Sequence, residues 1–212
     1  MMMYRTVKNA IVTLLDDNAF GHYRVIGRQR QSRASDEIKD NDRTVQVYYS
    51  DGSFPKNSGR MIGTKSHDLT IDIDLAASAS AQGDLSILDS DLATPIQKAA
   101  AIAAIKEASE NADEKIDELI DYVYNILMDA RNAGLGLENG EISSRWIDRI
   151  QKDTLLERGD LIVKTANMKY TCRVQETVGG AIGFEPSTVI FDSETPVDGA
   201  SSTGITVEND NL

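Results

Sequence analysis

The chain has 212 residues, 41% of them apolar, which suffices for one domain with a buried core plus an appended segment. It carries 22 Lys and Arg against 34 Asp and Glu, a formal net charge of −12. That sign disfavours non-specific binding to DNA or to anionic membranes, because such affinity comes chiefly from neutralised phosphates.

The opening MMMYRTVKNA lacks the apolar stretch of a secretory signal. No later run reaches the roughly 18 apolar residues that a membrane span needs. In residues 4–15, Val7, Ala10, Ile11, Leu14 and Leu15 fall at amphipathic-helix spacing, with Asp17, Asn18 and Gly21 as stop signals. Residues 20–26 fit a short strand, and 27–41 read as an exposed polar loop. Residues 43–50 (RTVQVYYS) alternate, with Val45, Val47 and Tyr49 on one face; Asp51-Gly52 is turn chemistry, and 54–65 is expected as an extended loop.

Residues 67–75 (HDLTIDIDL) put Leu69, Ile71, Ile73 and Leu75 on one face and Thr70, Asp72 and Asp74 on the other. An antiparallel pair with one wet face is the natural outcome. The small, polar run 76–84 suggests a linker or rim loop. Residues 95–132 are helical in pattern, with Thr94 as cap and Pro95 in the first turn. Ile96, Ala99, Ala100, Ala103 and Ile102 make a small-residue stripe, and Ile116, Leu119, Ile120, Val123, Leu127 and Ala130 a bulkier one. At 1.5 Å per residue the segment would span about 57 Å, more than a small domain, so a break near 109–113 or an overhang is expected. Asn132 and Gly134 mark its stop.

Residues 143–151, carrying Trp146, Ile147 and Ile150, suggest a short helix. Strands at 161–165 and at 168–175 (MKYTCRVQ) follow, separated by Ala166-Asn167. Cys172, the single cysteine, shares a face with Met168, Tyr170 and Val174 and reads as a buried, inert thiol. It excludes an intrachain disulfide framework and a multi-cysteine zinc site, in keeping with a reducing compartment. Beyond Gly179-Gly180 the periodicity is lost, apart from a patch at 188–191. The expectation is an α+β fold: a small mixed, mainly antiparallel sheet of about four strands flanked by helices, with a long helix after the second clear strand. Residues 1–178 form the domain and 179–212 a partly disordered extension.

Chemistry is sparse. His22 and His67 are the only histidines, and neither has a metal-spaced partner; His67 is expected to face solvent or a loop. Asp68, Asp72 and Asp74 form an acidic row that could hold a divalent cation or divide acid and base roles. A solvated strand face or a subunit contact is the simpler reading. Gly134, Gly136 and Gly140 do not fit GxGxxG, no GK[ST] follows Gly179-Gly180, and GxSxG is absent. No catalytic residue, cofactor or metal is assigned, and the chain does not read as an enzyme.

Arg24, Arg28, Arg30 and Arg33 cluster without interleaved aromatics beyond Tyr23, so they lack the stacking half of a nucleic-acid site. A solvated loop, or contact with an acidic surface of another copy or a partner, accounts for them. Six bases and two acids give residues 1–33 a charge of +4, while from 174 onward seven acids stand without a base. Such asymmetry suits head-to-tail contact between copies, or two independent surfaces.

In order, the chain shows an amphipathic helix, a strand ending VQVYYSDGSF, a loop, HDLTIDIDLAASA, a long helix, and GDLIVKTANMKYTCRVQE. This order resembles the tail terminator (tail completion) proteins of long-tailed bacteriophages, over roughly 4–177. The Ala-rich stretch at 95–109, the Arg-rich loop and the segment after Gly179 depart from that pattern. The resemblance implies a structural virion protein, assembled in the host cytoplasm. Copies form a homo-oligomer, a hexameric ring, that caps the head-proximal end of the tail tube, ends polymerisation and meets a neck or head-completion protein. DNA passes through without specific binding. On that reading Asp72 and Asp74, with Asp68, face the channel or an interface, and Arg24, Arg28, Arg30 and Arg33 contact the tube or a neighbouring copy. Another head-tail connector or neck adaptor, or a small metal-dependent hydrolase using the aspartate row, are the alternatives.

Overall fold

The computed structural model describes residues 3–27, 38, 42–53, 63–82, 85–137, 141–153, 156–158 and 161–178. Arg28, Arg30, Arg33, most of the expected loop 54–65 and the whole segment 179–212 lie outside them. A first helix, α1 (Met3–Asp17), buries Met3, Val7, Ile11 and Leu15, one residue per turn. It stops where the sequence places its polar residues: Asn18 Nδ2 donates to Leu14 O at 2.8 Å, and Phe20 and Gly21 take positive φ. The chain is then held back against α1 by Tyr23, whose buried hydroxyl donates to Leu15 O at 2.9 Å.

Strand β1 (Arg24–Ile26) runs parallel to β2 (Arg43–Ser53), which pairs antiparallel with β3 (Gly63–Ser80). Helix α2 (Pro95–Met128) follows, and then β4 (Ile142–Lys152), β5 (Leu156–Arg158) and β6 (Leu161–Val178). The sheet order is β1-β2-β3-β6-β4, with β5 on the same side of β6 as β4. The fold is α+β as expected, with five strands along the sheet rather than about four. Both helices lie over one face. Val7, Ile11 and Leu15 of α1 and Ile116, Leu119, Val123 and Leu127 of α2 join one core with Val45, Val47, Leu69, Ile71, Ile73, Leu75, Met168 and Tyr170.

Several local expectations are corrected. Asp51-Gly52 is not a turn: a register shift between Tyr49 and Asp51 absorbs one residue as a bulge, and β2 continues to Ser53. Residues 76–80 are not linker. They extend β3, with Ala76, Ala77, Ser78 and Ala79 buried: Ala79 packs under Ala108 and Ala112 of α2, Ala77 joins the main core, and Ala76, on the opposite face, packs with Ile38, Leu161 and Val163. Residues 161–165 and 168–175 are one strand. Residues 143–151 are β4, not a helix. Two bulges in β4, at Ser143 and Asp148, break the two-residue alternation and bring Ile147 and Ile150, three apart, to the same side.

Helix α2 is uninterrupted across 109–113, so the overhang is realised instead of the break. Thr94 and Gln97 form a reciprocal capping box, with Pro95 in the first turn. At 1.5 Å per residue its 34 residues span about 51 Å. Three contacts fix its direction along the sheet. Asp113 meets Lys164, Asp117 meets Lys152, and Arg145 of β4 reaches the last turn. No helix among the described residues is long and apolar enough to cross a membrane.

Candidate functional site

The sheet face turned away from the helices carries the aspartate row. Asp68 takes two hydrogen bonds from the Arg173 guanidinium across the β3–β6 ladder, at 2.8 and 3.0 Å. That guanidinium holds its carboxyl below the usual carboxylate range. Asp74 accepts from Asn167 Nδ2 at 2.8 Å and from the Tyr48 hydroxyl at 3.3 Å. Asp72 is 7% exposed, and its Oδ1 has no hydrogen-bond partner among the described residues.

The row therefore shares one face, as alternation requires, but it is not a solvated acidic strip. Asp72 lies inside the single chain, whereas Asp68 and Asp74 are half-buried. Among the described residues no group of three or more His, Cys, Asp or Glu is placed to hold a metal ion.

His67 is also corrected: it is 3% exposed, with Nε2 3.6 Å from Glu176 Oε2. It shares the helix-side parity of Leu69 and Ile71, which carries it inward. Cys172 is buried as expected. Desolvation, with Asp68 adding repulsion, pushes its thiol up to about 12. Iodoacetamide at pH 8 should leave Cys172 unmodified in the folded protein and modify it fully in denaturant. Mass spectrometry reads the difference, and rapid alkylation under native conditions would contradict the packing described here.

Of the arginine cluster, Arg24 is described. It sits exposed at the start of β1 with its guanidinium 3.7 Å from Asp42. Beside it, the α1–β1 turn and α2 frame an open cleft of about 390 Å³ lined by His22, Tyr23, Arg43, Glu118, Asp121 and Tyr122. Arg43 pairs with Glu118 in the cleft wall, and the Tyr122 hydroxyl donates to Asn18 O at 3.2 Å. The cleft holds no nucleophile with a base in reach. It offers rings and carboxylates, a lining suited to a basic side chain.

The outer side of α2 divides into two zones. Glu107, Glu114 and Asp121 stay exposed along its later turns. Along its first three turns the exposed residues are apolar except for Gln97: Ile96 is 82% and Ile102 59% exposed, with Leu92 just before the helix at 96%. Ala99, Ala100 and Ala103 are exposed beside them. The stripe expected from sequence thus exists, but it faces away from the sheet. Ala101, Ala108 and Ala112, on the opposite side of the helix, make the inward contacts. The signal was legible in that angular offset: two alanine rows half a turn apart cannot both face one sheet.

Arg145 is the residue that sequence reasoning missed. From β4 it donates to Asp129 O at 2.5 Å and Asn132 O at 2.7 Å, satisfying carbonyls at and just beyond the end of α2. Compared with protein-family models and with curated proteins, the chain matches none.

Proposed function

We propose that this protein is a structural subunit that closes the head-proximal end of a phage tail tube as a ring, ending tube growth and joining the tube to the capsid neck. The observation that carries the reading is the division of the described residues into a helix-backed sheet and separate outward-facing apolar, acidic and basic zones. Asp68, Asp74 and His67 make structural contacts with Arg173, Asn167 and Glu176. The large apolar and unlike-charged groups stand on separate outer zones. Such zones support head-to-tail contacts that close by rotation into a ring.

In this account the exposed carboxylates of α2, rather than Asp72, meet the arginine-rich segment of the next copy. Exposed acids elsewhere keep passing DNA from adhering. The partners are further copies of the chain, the tail tube protein and a neck protein.

Co-sedimentation with preformed tail tubes, followed by electron microscopy, tests the reading. The full chain should pellet with tubes and be seen as a ring at one end. Arg28→Glu with Arg30→Glu should lower the bound fraction by about tenfold or more, since like charges then face each other. Binding along the whole tube, or none, would remove the proposal. Unchanged rings and tube binding in the charge-reversed chain would remove only the arginine assignment.

A further inference from the structure

We propose that the first three turns of α2 are a docking surface for the apolar stretch 182–191 of a second copy of this chain. Among the described residues nothing covers these turns on their outer side, and Leu92, Ile96 and Ile102 are the large apolar residues exposed there. From Pro95 to Lys106 the helix carries Lys98 and Lys106 and no acid, in a chain of net charge −12, with Lys106 also 3.7 Å from Glu110 one turn on. The positive end of the helix dipole adds to the two lysines. Its complement is an apolar segment flanked by acids.

The sequence contains one such segment. Residues 179–212 hold six acids and no base, and within them Ile182, Phe184, Val189, Ile190 and Phe191 stand with Glu185, Asp192 and Glu194. Docking would bury these apolar groups and set the carboxylates against Lys98 and Lys106.

Reach decides between a chain's own segment and a neighbour's. Ala108 and Ala112 pack at the Ala79–Ile162 end of the β3–β6 ladder, whereas Val178 pairs with Gly63 at the other end. Those two ends are sixteen pairs apart, about 50 Å at strand rise. Ile96 lies a further 18 Å or so beyond Ala108 along the helix. Phe191 follows Val178 by thirteen residues, which extend to at most about 45 Å. The stretch cannot reach the first turns of its own α2, so the contact runs between copies. It rests on the assembly reading in one respect only, that copies meet, and it does not require a tube.

The test uses two full-length variants, Ala99→Cys and Ile190→Cys, mixed at high concentration and treated with a short bis-maleimide. Buried Cys172 is the unreactive background. The expected product is a covalent pair containing one chain of each variant. Adding Ile96→Glu and Ile102→Glu to the Ala99→Cys chain should cut its yield by about tenfold or more, because a charge is then forced into an apolar contact. The thermal midpoint of that chain should stay unchanged, since both positions are exposed. No mixed product, or product from Ala99→Cys alone through helix-to-helix pairing, would overturn the proposal. So would linkage confined to single chains in a protein that carries Ala99→Cys and Ile190→Cys together. A mixed cross-link without rings on tubes leaves this contact standing and removes tube capping; rings without the cross-link do the reverse.

Discussion

Ile116→Ala should lower folding stability by about 2–5 kcal/mol, while Ile96→Ala in the same helix should change it by less than about 0.5 kcal/mol. The two residues have the same chemistry and similar helix propensity, so the contrast isolates what α2 touches. Ile116 is fully buried where the helix crosses β3 and β6, in the cluster that also holds Ile71, Ile73 and Met168. Truncating it removes apolar area from the core and leaves a cavity that the rigid sheet cannot collapse to fill. Ile96 is 82% exposed and loses almost nothing on truncation. Urea denaturation of the two variants, with an unchanged slope, measures both values. Similar losses at the two sites would mean that the first turns of α2 are packed, and both the overhang and the docking surface would fall with that result.

Arg145→Met should cost about 3 kcal/mol, a large effect for a residue that is only half-buried. Its guanidinium serves Asp129 O and Asn132 O at once, where the last carbonyls of α2 turn back toward the sheet. Removing the guanidinium strips two charge-assisted hydrogen bonds, of order 1.5–3 kcal/mol each, and leaves Asp129 O with the Asn132 amide and Asn132 O with the Leu135 amide. It also takes a positive charge from the negative end of the helix dipole. Arg145→Lys should recover about half, because one ammonium on a flexible stem replaces a planar fork with two lined-up donors. Hydrogen exchange adds a local readout: amides in the last turn of α2 should lose protection before those around Ile116. Uniform loss of protection would show that the anchor is global packing rather than a clamp on the helix end.

How much of this was readable from sequence depends on the kind of signal. Strict alternation in 43–50, 67–75 and 168–175 located three strands, because one row of each faces the helices and the other does not. The Thr94-Pro95-Gln97 start of α2 is local chemistry and was legible for that reason. β4 was not, because the bulges at Ser143 and Asp148 scrambled its period into a helical one. Asp148 is held there by Trp146 Nε1 of the same strand at 2.5 Å and by the hydroxyl of Thr171, which β6 brings from a distance in sequence.

The strand at 76–80 was hidden by its own composition. Alanine and serine carry no pattern, and burial came from both faces: Ala108 and Ala112 close over Ala79, while Ile38, Leu161 and Val163 pack with Ala76. At the candidate surfaces the residue types were visible but their exposure was not. Asp72 and His67 resemble surface residues in sequence and are buried, whereas Ile96 and Leu92 resemble core residues and are exposed. Which face a side chain meets is a tertiary fact, and a helix longer than the sheet beneath it inverts the usual inference.

The length distribution of tail tubes assembled in the presence of the full chain tests the central claim most directly. Added to polymerising tube protein, the chain should shorten the tubes in proportion to its concentration, with each stopped end bearing one ring of identical copies in electron micrographs. Tubes of unchanged length with bare ends, at a concentration of the chain exceeding that of tube ends, would contradict it.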